Sequence, residues 1–311
     1  MRTDVTPSDL AASVMAVPPL ARTADGAFDE AGNRAVIRHL EAGGVSTILY
    51  GGNALVHHWP MRDYAEWLDR LEALCAADTW LVPAVGSDGG KLADQAAILA
   101  ERRFPAALLL PMIPPRTAEG SKEALRRFHA TSGVQLIVYI KTDGYMAAAD
   151  LGQLVSEGVV LGVKYAVPRD GTDRDGYLDD IIAAIGAERV ISGFGEPPAI
   201  PHLLDYGLAG FTAGCVCLAP ALSMGILGAL KQGDRAAAER LLQPMLPLEA
   251  CRNRINEIRV LHEAVGLGGL AAMGPILPPS SALEEADRPE VARAARDLLA
   301  AEREFAAMQA A

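Results

Sequence analysis

The feature that most restricts the fold of this chain is a repeated alternation of short apolar runs with amphipathic segments. The apolar runs have the length and β-branched content of strands buried on both faces, and the segments between them have helical periodicity. We find no hairpin signal between successive runs, so the pattern predicts parallel strands with helical crossovers. The predicted strands are 13–20, 46–50, 80–85, 106–110, 135–139, 159–164, 189–192 and 210–212. The predicted helices between them are 29–41, 61–76, 92–103, 119–130, 148–156, 175–185 and 197–206.

Eight such units over about 230 residues match a closed (β/α)8 TIM barrel in count and size. A doubly wound open sheet is the alternative, but no Gly-x-Gly-x-x-Gly follows the first strand, where a dinucleotide fold would place it. After the last strand the pattern becomes wholly helical. We therefore predict a barrel over residues 1–232 and a C-terminal helical region packed on it over residues 233–311.

Charge and composition narrow the range of partners. The formal charge of −11 disfavours nucleic acid and anionic membrane surfaces. No apolar run is long enough to span a membrane and the N-terminus lacks the order of a signal peptide, so we expect a cytoplasmic protein. The four cysteines do not follow the spacing of a zinc site, which favours reduced, structural roles.

A lysine at the end of a buried strand is the strongest chemical signal. Lys164 closes the run Val159–Val163, and it is one of only five lysines beside 23 arginines. Burial lowers the pKa of an amine and makes it a nucleophile near neutral pH, a role that guanidinium cannot fill. The alternative is a structural lysine whose stem packs in the core while its head reaches water.

Other polar side chains are predicted at the same end of the barrel, where the reactive groups of TIM barrels gather. These are Asn53, Ser87, Tyr139 and Glu196. If Lys164 faces inward, Tyr139 closes the preceding strand at the matching position, and its phenol can relay a proton during imine chemistry. Glu196 is a candidate substrate contact, or alternatively the first-turn acid of the following helix.

Short motifs in a fixed order give the chain a resemblance to a known family over residues 13–283. It resembles the dihydrodipicolinate synthase and N-acetylneuraminate lyase family of class I aldolases and lyases. The motifs are Asp25-Gly26 with Asp29, Gly51-Gly52, Val85-Gly86-Ser87, Val138-Tyr139, Gly162-Val163-Lys164, Gly210 to Gly214, and Gly274 to Pro279.

The resemblance implies that Lys164 forms a Schiff base with the keto carbon of pyruvate or a related 2-keto acid. It also implies that Tyr139 relays protons, and that Gly52 and Gly214 lie beside the substrate. The expected activity is that of a lyase, either an aldolase or a dehydratase, with no cofactor and no metal. The resemblance further implies a homo-oligomer, a dimer or a tetramer.

Departures from the family pattern limit this expectation. Where members carry Gly-Thr-Thr-Gly-Glu or a near variant, this chain has Gly51 to Leu55, so Asn53 is left to contact the substrate carboxylate. The tyrosine pair and the arginine of the synthase are absent, which disfavours the lysine-biosynthetic reaction. Lys141 resembles a basic residue of the ketodeoxyglucarate dehydratase branch; it either contacts a substrate acid group or is an exposed loop cation.

Two rival functions stay open at this point. The altered loop after strand two is compatible with a barrel that binds a keto acid without turnover. The second rival is a metal-dependent enzyme with a site built from His57 or His58, Glu196 and His202, although no short ligand pair supports it.

Overall fold

Eight parallel strands close into a barrel in the computed structural model, which describes residues 1–169 and 174–310. Each strand pairs with its sequence neighbour, and β1 also pairs with β8, which completes the ring. The (β/α)8 fold predicted from the sequence is therefore confirmed. The strands are β1 (Met15–Ala16), β2 (Thr47–Tyr50), β3 (Trp80–Val85), β4 (Ala106–Leu109), β5 (Gln135–Ile140), β6 (Val160–Tyr165), β7 (Val190–Ser192) and β8 (Gly210–Ala213).

Helices surround the barrel and continue beyond it. The first eight alternate with the strands, and four more follow. They are α1 (Glu30–Ala42), α2 (Met61–Leu74), α3 (Gly89–Ala100), α4 (Ala118–Ser132), α5 (Ala148–Ser156), α6 (Gly176–Ile185), α7 (Glu196–Asp205), α8 (Pro220–Lys231), α9 (Arg235–Leu242), α10 (Leu246–Arg254), α11 (Glu257–Leu267) and α12 (Arg288–Ala310).

Local chemistry explains where several elements begin and end. The Asp29 carboxylate accepts hydrogen bonds from the first backbone N–H groups of α1, as an N-cap does. Strand β1 is much shorter than the predicted 13–20. After Val17, whose N–H donates to the Ala213 carbonyl, come Pro18 and Pro19, which have no N–H to continue the ladder.

The C-terminal helices bring new side chains to the barrel. Helices α10 and α11 reach its C-terminal end, while α12 packs along α8, where the Glu302 carboxylate accepts hydrogen bonds from the Ala221 and Leu222 N–H groups. The division into residues 1–232 and 233–311 stays a prediction about organisation. No helix in the described part of the chain is both long and apolar enough to cross a bilayer.

Gly162 leaves no room for a side chain in the middle of β6. A Cβ at this position would lie 2.5 Å from the Arg189 carbonyl oxygen and 2.9 Å from Leu10 Cδ1. Replacing Gly162 by alanine is expected to lower the free energy of unfolding by about 1–3 kcal/mol, because an overpacked core must shift to accommodate the methyl group. Urea denaturation measures this change.

Gly228 in α8 provides the matched control, since nothing lies within 4 Å of its Cβ position. Alanine there is expected to raise stability by about 0.5–1 kcal/mol through its better helix propensity. A Gly162→Ala protein as stable as the wild type would contradict the tight packing of β6.

Candidate active site

Strands β5 and β6 bring Tyr139 and Lys164 side by side, since the two residues are direct partners in the strand register. Lys164 is only 6% exposed, and its Nζ lies 3.9 Å from the centroid of the Tyr139 ring. The ring face thus shields the ammonium in a cation–π contact. A lysine head reaching into water, the structural alternative, does not match this burial.

The environment of Lys164 favours its neutral form. Burial, together with the positive charges of Lys141 and Arg252 and against the opposite effect of Glu257, lowers the pKa of its amine to about 7. A large fraction of the amine is therefore unprotonated at neutral pH and can attack a carbonyl carbon. Burial raises the pKa of the Tyr139 hydroxyl above its ordinary value of 10, so this hydroxyl keeps its proton and is a donor.

A cavity of about 570 Å³ opens above this pair at the C-terminal end of the barrel. Its volume suits a small acid of several carbons. Of the residues predicted at this end of the barrel, those that line the cavity are Gly52, Asn53, Ser87, Tyr139, Lys141, Lys164 and Gly214.

Asn53 and Lys141, the two residues predicted to contact a substrate carboxylate, differ in the partners that their donor groups already have. The Asn53 side-chain amide donates to the Val17 carbonyl at 2.7 Å, which fixes it against the neighbouring strand end. Lys141 is half-exposed, and its Nζ lies 3.9 Å from a Glu257 carboxylate oxygen. Gly52 lies in open space with nothing within 4 Å of its Cβ position, so the loop after β2 leaves room for substrate.

Glu196 is not brought into the cavity. It is fully buried at the start of α7, where its Oε1 accepts a hydrogen bond of 2.8 Å from the Ser223 hydroxyl. Glu249 of α10 lines the cavity beside Gly195, where its Oε1 lies 3.6 Å from the Cβ position of the glycine. The position of Glu196 thus agrees with the first-turn acid of a helix and departs from the predicted substrate contact.

Strand-end reasoning missed a second charged pair. Glu249 and Arg252, one turn apart on α10, both line the cavity and are almost fully buried. Arg252 Nη1 lies 2.5 Å from Glu249 Oε1, a buried ion pair. The only sequence signal was an acid and a base three residues apart on a predicted helix, and it did not indicate that the helix reaches the barrel mouth.

The histidines considered for a metal site lie in separate places. His57 lines the cavity, and burial lowers its pKa to about 4, whereas His202 Nδ1 is 2.8 Å from the Ser192 hydroxyl. Within residues 1–169 and 174–310, no three His, Cys, Asp or Glu side chains are grouped so that they could hold a metal ion.

Replacing Glu196 by glutamine is expected to raise stability above pH 7. Burial and the nearby Glu249 charge raise the pKa of Glu196 from 4.5 to about 7. Between these values the folded protein binds more protons than the unfolded chain, so wild-type stability falls as pH rises through this window. Glutamine does not ionise, so the Glu196→Gln protein does not lose this stability. Its free energy of unfolding relative to the wild type should rise between pH 4.5 and 7, by about 3 kcal/mol at most.

Urea denaturation at pH 5 and pH 8 measures this difference. Glu101→Gln, at an exposed position, is the control and should not change the pH dependence. An advantage of Glu196→Gln that is equal at the two pH values would contradict an uncharged Glu196 in the folded state.

Known structures share the whole fold of this chain. Dihydrodipicolinate synthase from Bacillus clausii superposes with a TM-score of 0.80 at 21% identity, covering 95% of this chain and 99% of that one. Wild-type sialic acid aldolase from Ruminococcus gnavus superposes with a TM-score of 0.79 at 15% identity, covering 95% and 99%. At these identities the likeness establishes the fold alone.

Two proteins similar to this chain in sequence carry the same description. A probable 5-dehydro-4-deoxyglucarate dehydratase of Xanthobacter autotrophicus is 30% identical over 180 residues, which are 55% of this chain and 58% of that protein. A second protein of this description, from Streptomyces coelicolor, is 26% identical over 250 residues, or 76% of each chain. The chain is thus similar in sequence to two probable dehydratases and similar in fold to dihydrodipicolinate synthase and sialic acid aldolase. No family model matches it.

Two elements supply contrasting groups to the cavity lining. The loop after β2 presents Gly52 and Asn53, and α10 contributes the buried Glu249–Arg252 ion pair. The alignment with the Xanthobacter relative spans less than two thirds of that protein, so substrate and activity have to be argued from the site of this chain.

Proposed function

We propose that this protein is a Schiff-base-forming lyase for a 2-keto acid, and that it removes water from a deoxy sugar acid. The observation that carries the proposal is the buried Lys164 amine, which faces the Tyr139 ring at the floor of a cavity open to small molecules. The two dehydratase relatives favour dehydration over aldol cleavage.

The proposed chemistry begins with attack of the neutral Lys164 amine on the keto carbon. The resulting carbinolamine loses its hydroxyl as water, with the proton supplied by the Tyr139 hydroxyl, and leaves a protonated imine. The imine withdraws electrons, so the carbon next to it can lose a proton and become an enamine. The Tyr139 phenolate takes up this proton and returns it to the hydroxyl of the following carbon, which the enamine expels as a second water. Hydrolysis of the resulting imine consumes one water and frees Lys164, so one water is lost overall.

A barrel that only binds a keto acid is the rival. Binding alone needs no amine with a lowered pKa, and keeping an ammonium in this dry environment costs stability. The cost is understandable if the amine reacts. The lysine-biosynthetic synthase reaction is disfavoured, because the apolar Pro111 and Ile113 line the cavity after β4 in place of a tyrosine pair.

Turnover with 5-dehydro-4-deoxyglucarate tests the proposal. As product accumulates, proton NMR should show loss of the signal from the proton on the carbon that carries the departing hydroxyl, and no pyruvate should be released. The rate of turnover should be unchanged by a metal chelator. Release of pyruvate from an aldol sugar acid would replace dehydration by aldol cleavage. Binding of the acid without any product would favour the rival.

Assembly and location are part of the same proposal. We expect a cytoplasmic homo-oligomer, a dimer or a tetramer, whose partner is a small-molecule acid and not nucleic acid or membrane. Size-exclusion chromatography with light scattering measures the mass, and a monomer of 32.7 kDa would contradict the expected assembly.

A further inference from the structure

Arg252 presents an unused part of its guanidinium at the cavity wall. Its Nη1 is paired with Glu249, and its Nε donates to the Glu257 carbonyl at 3.3 Å. Among the described residues, Nη2 has no hydrogen-bond partner. This nitrogen lies over Gly214, where a Cβ would come within 2.6 Å of it. The glycine therefore lets the guanidinium lie directly against the end of β8.

The acid group of a keto acid needs a charged partner, which the loop after β2 does not offer. That loop has no hydroxyl at Gly52 or Asn53, and the Asn53 amide nitrogen already donates to Val17. Lys141 is half-exposed and close to Glu257, so its charge is partly offset and screened by water. A carboxylate leaving water for this cavity requires a charged donor held in a dry environment.

We infer that Arg252, through Nη2, binds a carboxylate of the substrate and replaces the hydroxyl-rich loop of the family that the chain resembles. This inference rests on the proposed function for the keto acid chemistry at Lys164. Arg252 is 8% exposed, and it lines the same cavity as Lys164, so one small molecule can reach both. Arginine is suited to this role because its planar donors match a carboxylate.

The balance of charge around the cavity supports anion binding. The cavity is lined by three basic residues, Lys141, Lys164 and Arg252, and by two carboxylates, Glu249 and Glu257. The whole chain, by contrast, has a formal charge of −11. An acid is thus attracted to this site and repelled by most of the remaining surface. Formation of the protonated imine places a positive charge at Lys164, so the site attracts the acid group of the attached substrate.

A matched pair of ketones separates carboxylate recognition from access to the cavity. Pyruvate and hydroxyacetone share the methyl ketone, and hydroxyacetone has a neutral CH2OH in place of the carboxylate. Borohydride trapping gives a half-saturating concentration for each. The double variant Glu249→Met and Arg252→Met removes both partners of the ion pair, which avoids leaving a buried, unpaired carboxylate.

We expect the half-saturating concentration of pyruvate to rise roughly 10- to 100-fold in the double variant, as for loss of a charged hydrogen bond, and that of hydroxyacetone to change less than about 3-fold. Gly214→Ala, which displaces Nη2 while keeping all charges, should act in the same direction. Arg254→Met is the control, since Arg254 lies on the same helix, is exposed and pairs with Glu290.

2-Oxoglutarate identifies which carboxylate is bound. If the double variant traps pyruvate more weakly, Arg252 binds the carboxylate beside the keto carbon. If only the trapping of 2-oxoglutarate is weakened, Arg252 binds the distal carboxylate. Both results support the inference. Equal effects on hydroxyacetone and the two acids would overturn it and leave Arg252 with a structural role.

A non-reacting ligand keeps this test independent of imine formation. Glutarate should raise the melting temperature of the wild type and of Lys164→Met, but not that of the double variant. If the wild type forms no adduct with any keto acid and glutarate still behaves in this way, the proposed function fails while the role of Arg252 stands. No glutarate effect in the wild type, together with unchanged trapping of acids in the double variant, would overturn the role of Arg252.

Discussion

Replacing Lys164 by methionine is expected to abolish turnover, with a fall of at least about 1,000-fold, because Lys141, the other lysine among the described residues that line the cavity, is half-exposed and is not the strand partner of Tyr139. Methionine fills a similar volume, so the cavity and its ability to bind acids should largely remain. The loss should appear in kcat, while a non-reacting acid still binds. Lys231→Met, at an exposed lysine at the end of α8, is the control and should keep wild-type turnover.

The same substitution is expected to stabilise the protein at low pH. The pKa of Lys164 is lowered from 10.5 to about 7 in the folded state, so between these values the unfolded chain binds more protons. Wild-type stability therefore falls as pH decreases from 10.5 through 7, and this loss is complete below pH 7. Methionine does not titrate, so the Lys164→Met protein does not lose this stability. At pH 6 its free energy of unfolding should exceed that of the wild type by about 3 kcal/mol.

Urea denaturation at pH 6 and pH 9 measures this gain, which should be larger at pH 6. Opposite effects of one substitution on activity and stability are expected where a reactive group is held at a stability cost. A Lys164→Met protein that is less stable than the wild type at pH 6 would show that the ammonium is well accommodated and that the lysine is structural.

Replacing Tyr139 by phenylalanine is expected to lower kcat by about 100- to 10,000-fold, the usual contribution of a positioned proton donor. The phenyl ring can keep its contact with the Lys164 amine, whose Nζ lies over the ring face in the wild type. Imine formation should therefore become slow without being lost, and long incubation with borohydride should still label Lys164. The KM should change much less than kcat.

Tyr177→Phe is the control for this prediction. Its hydroxyl hydrogen-bonds to the Met146 carbonyl outside the cavity, so its removal should cost some stability and no turnover. Wild-type kcat in Tyr139→Phe would exclude the hydroxyl from proton transfer. A complete loss of labelling at Lys164 would instead show that Tyr139 is needed to position the amine.

Much of the fold could be predicted because its signals are local. Strand β3 and helix α5 have the predicted bounds, and helix α1 begins after its predicted cap at Asp29. In a parallel barrel every strand points the same way, so residues at strand ends meet at one mouth. This rule predicts Lys164 beside Tyr139 from the sequence alone, and the two residues are direct partners in the strand register.

Other parts of the site depend on packing that the sequence does not display. Arg252 and Glu249 lie on a helix that follows the barrel in sequence, and only tertiary structure shows that this helix covers the mouth. Glu196 follows strand β7 as a site residue would, but it is fully buried and accepts a hydrogen bond from Ser223 of α8. Strand-end reasoning finds groups contributed by the barrel itself and misses those supplied by the elements that pack on it.

Borohydride trapping with pyruvate, read by intact mass and then by peptide mapping, tests the imine chemistry most directly. A single adduct confined to Lys164 is predicted, absent from Lys164→Met, and forming faster at pH 8 than at pH 6 because the neutral amine is the attacking species. A folded protein that gives no adduct with pyruvate or with longer 2-keto acids, or an adduct on another lysine, would contradict a Schiff-base lyase built on Lys164.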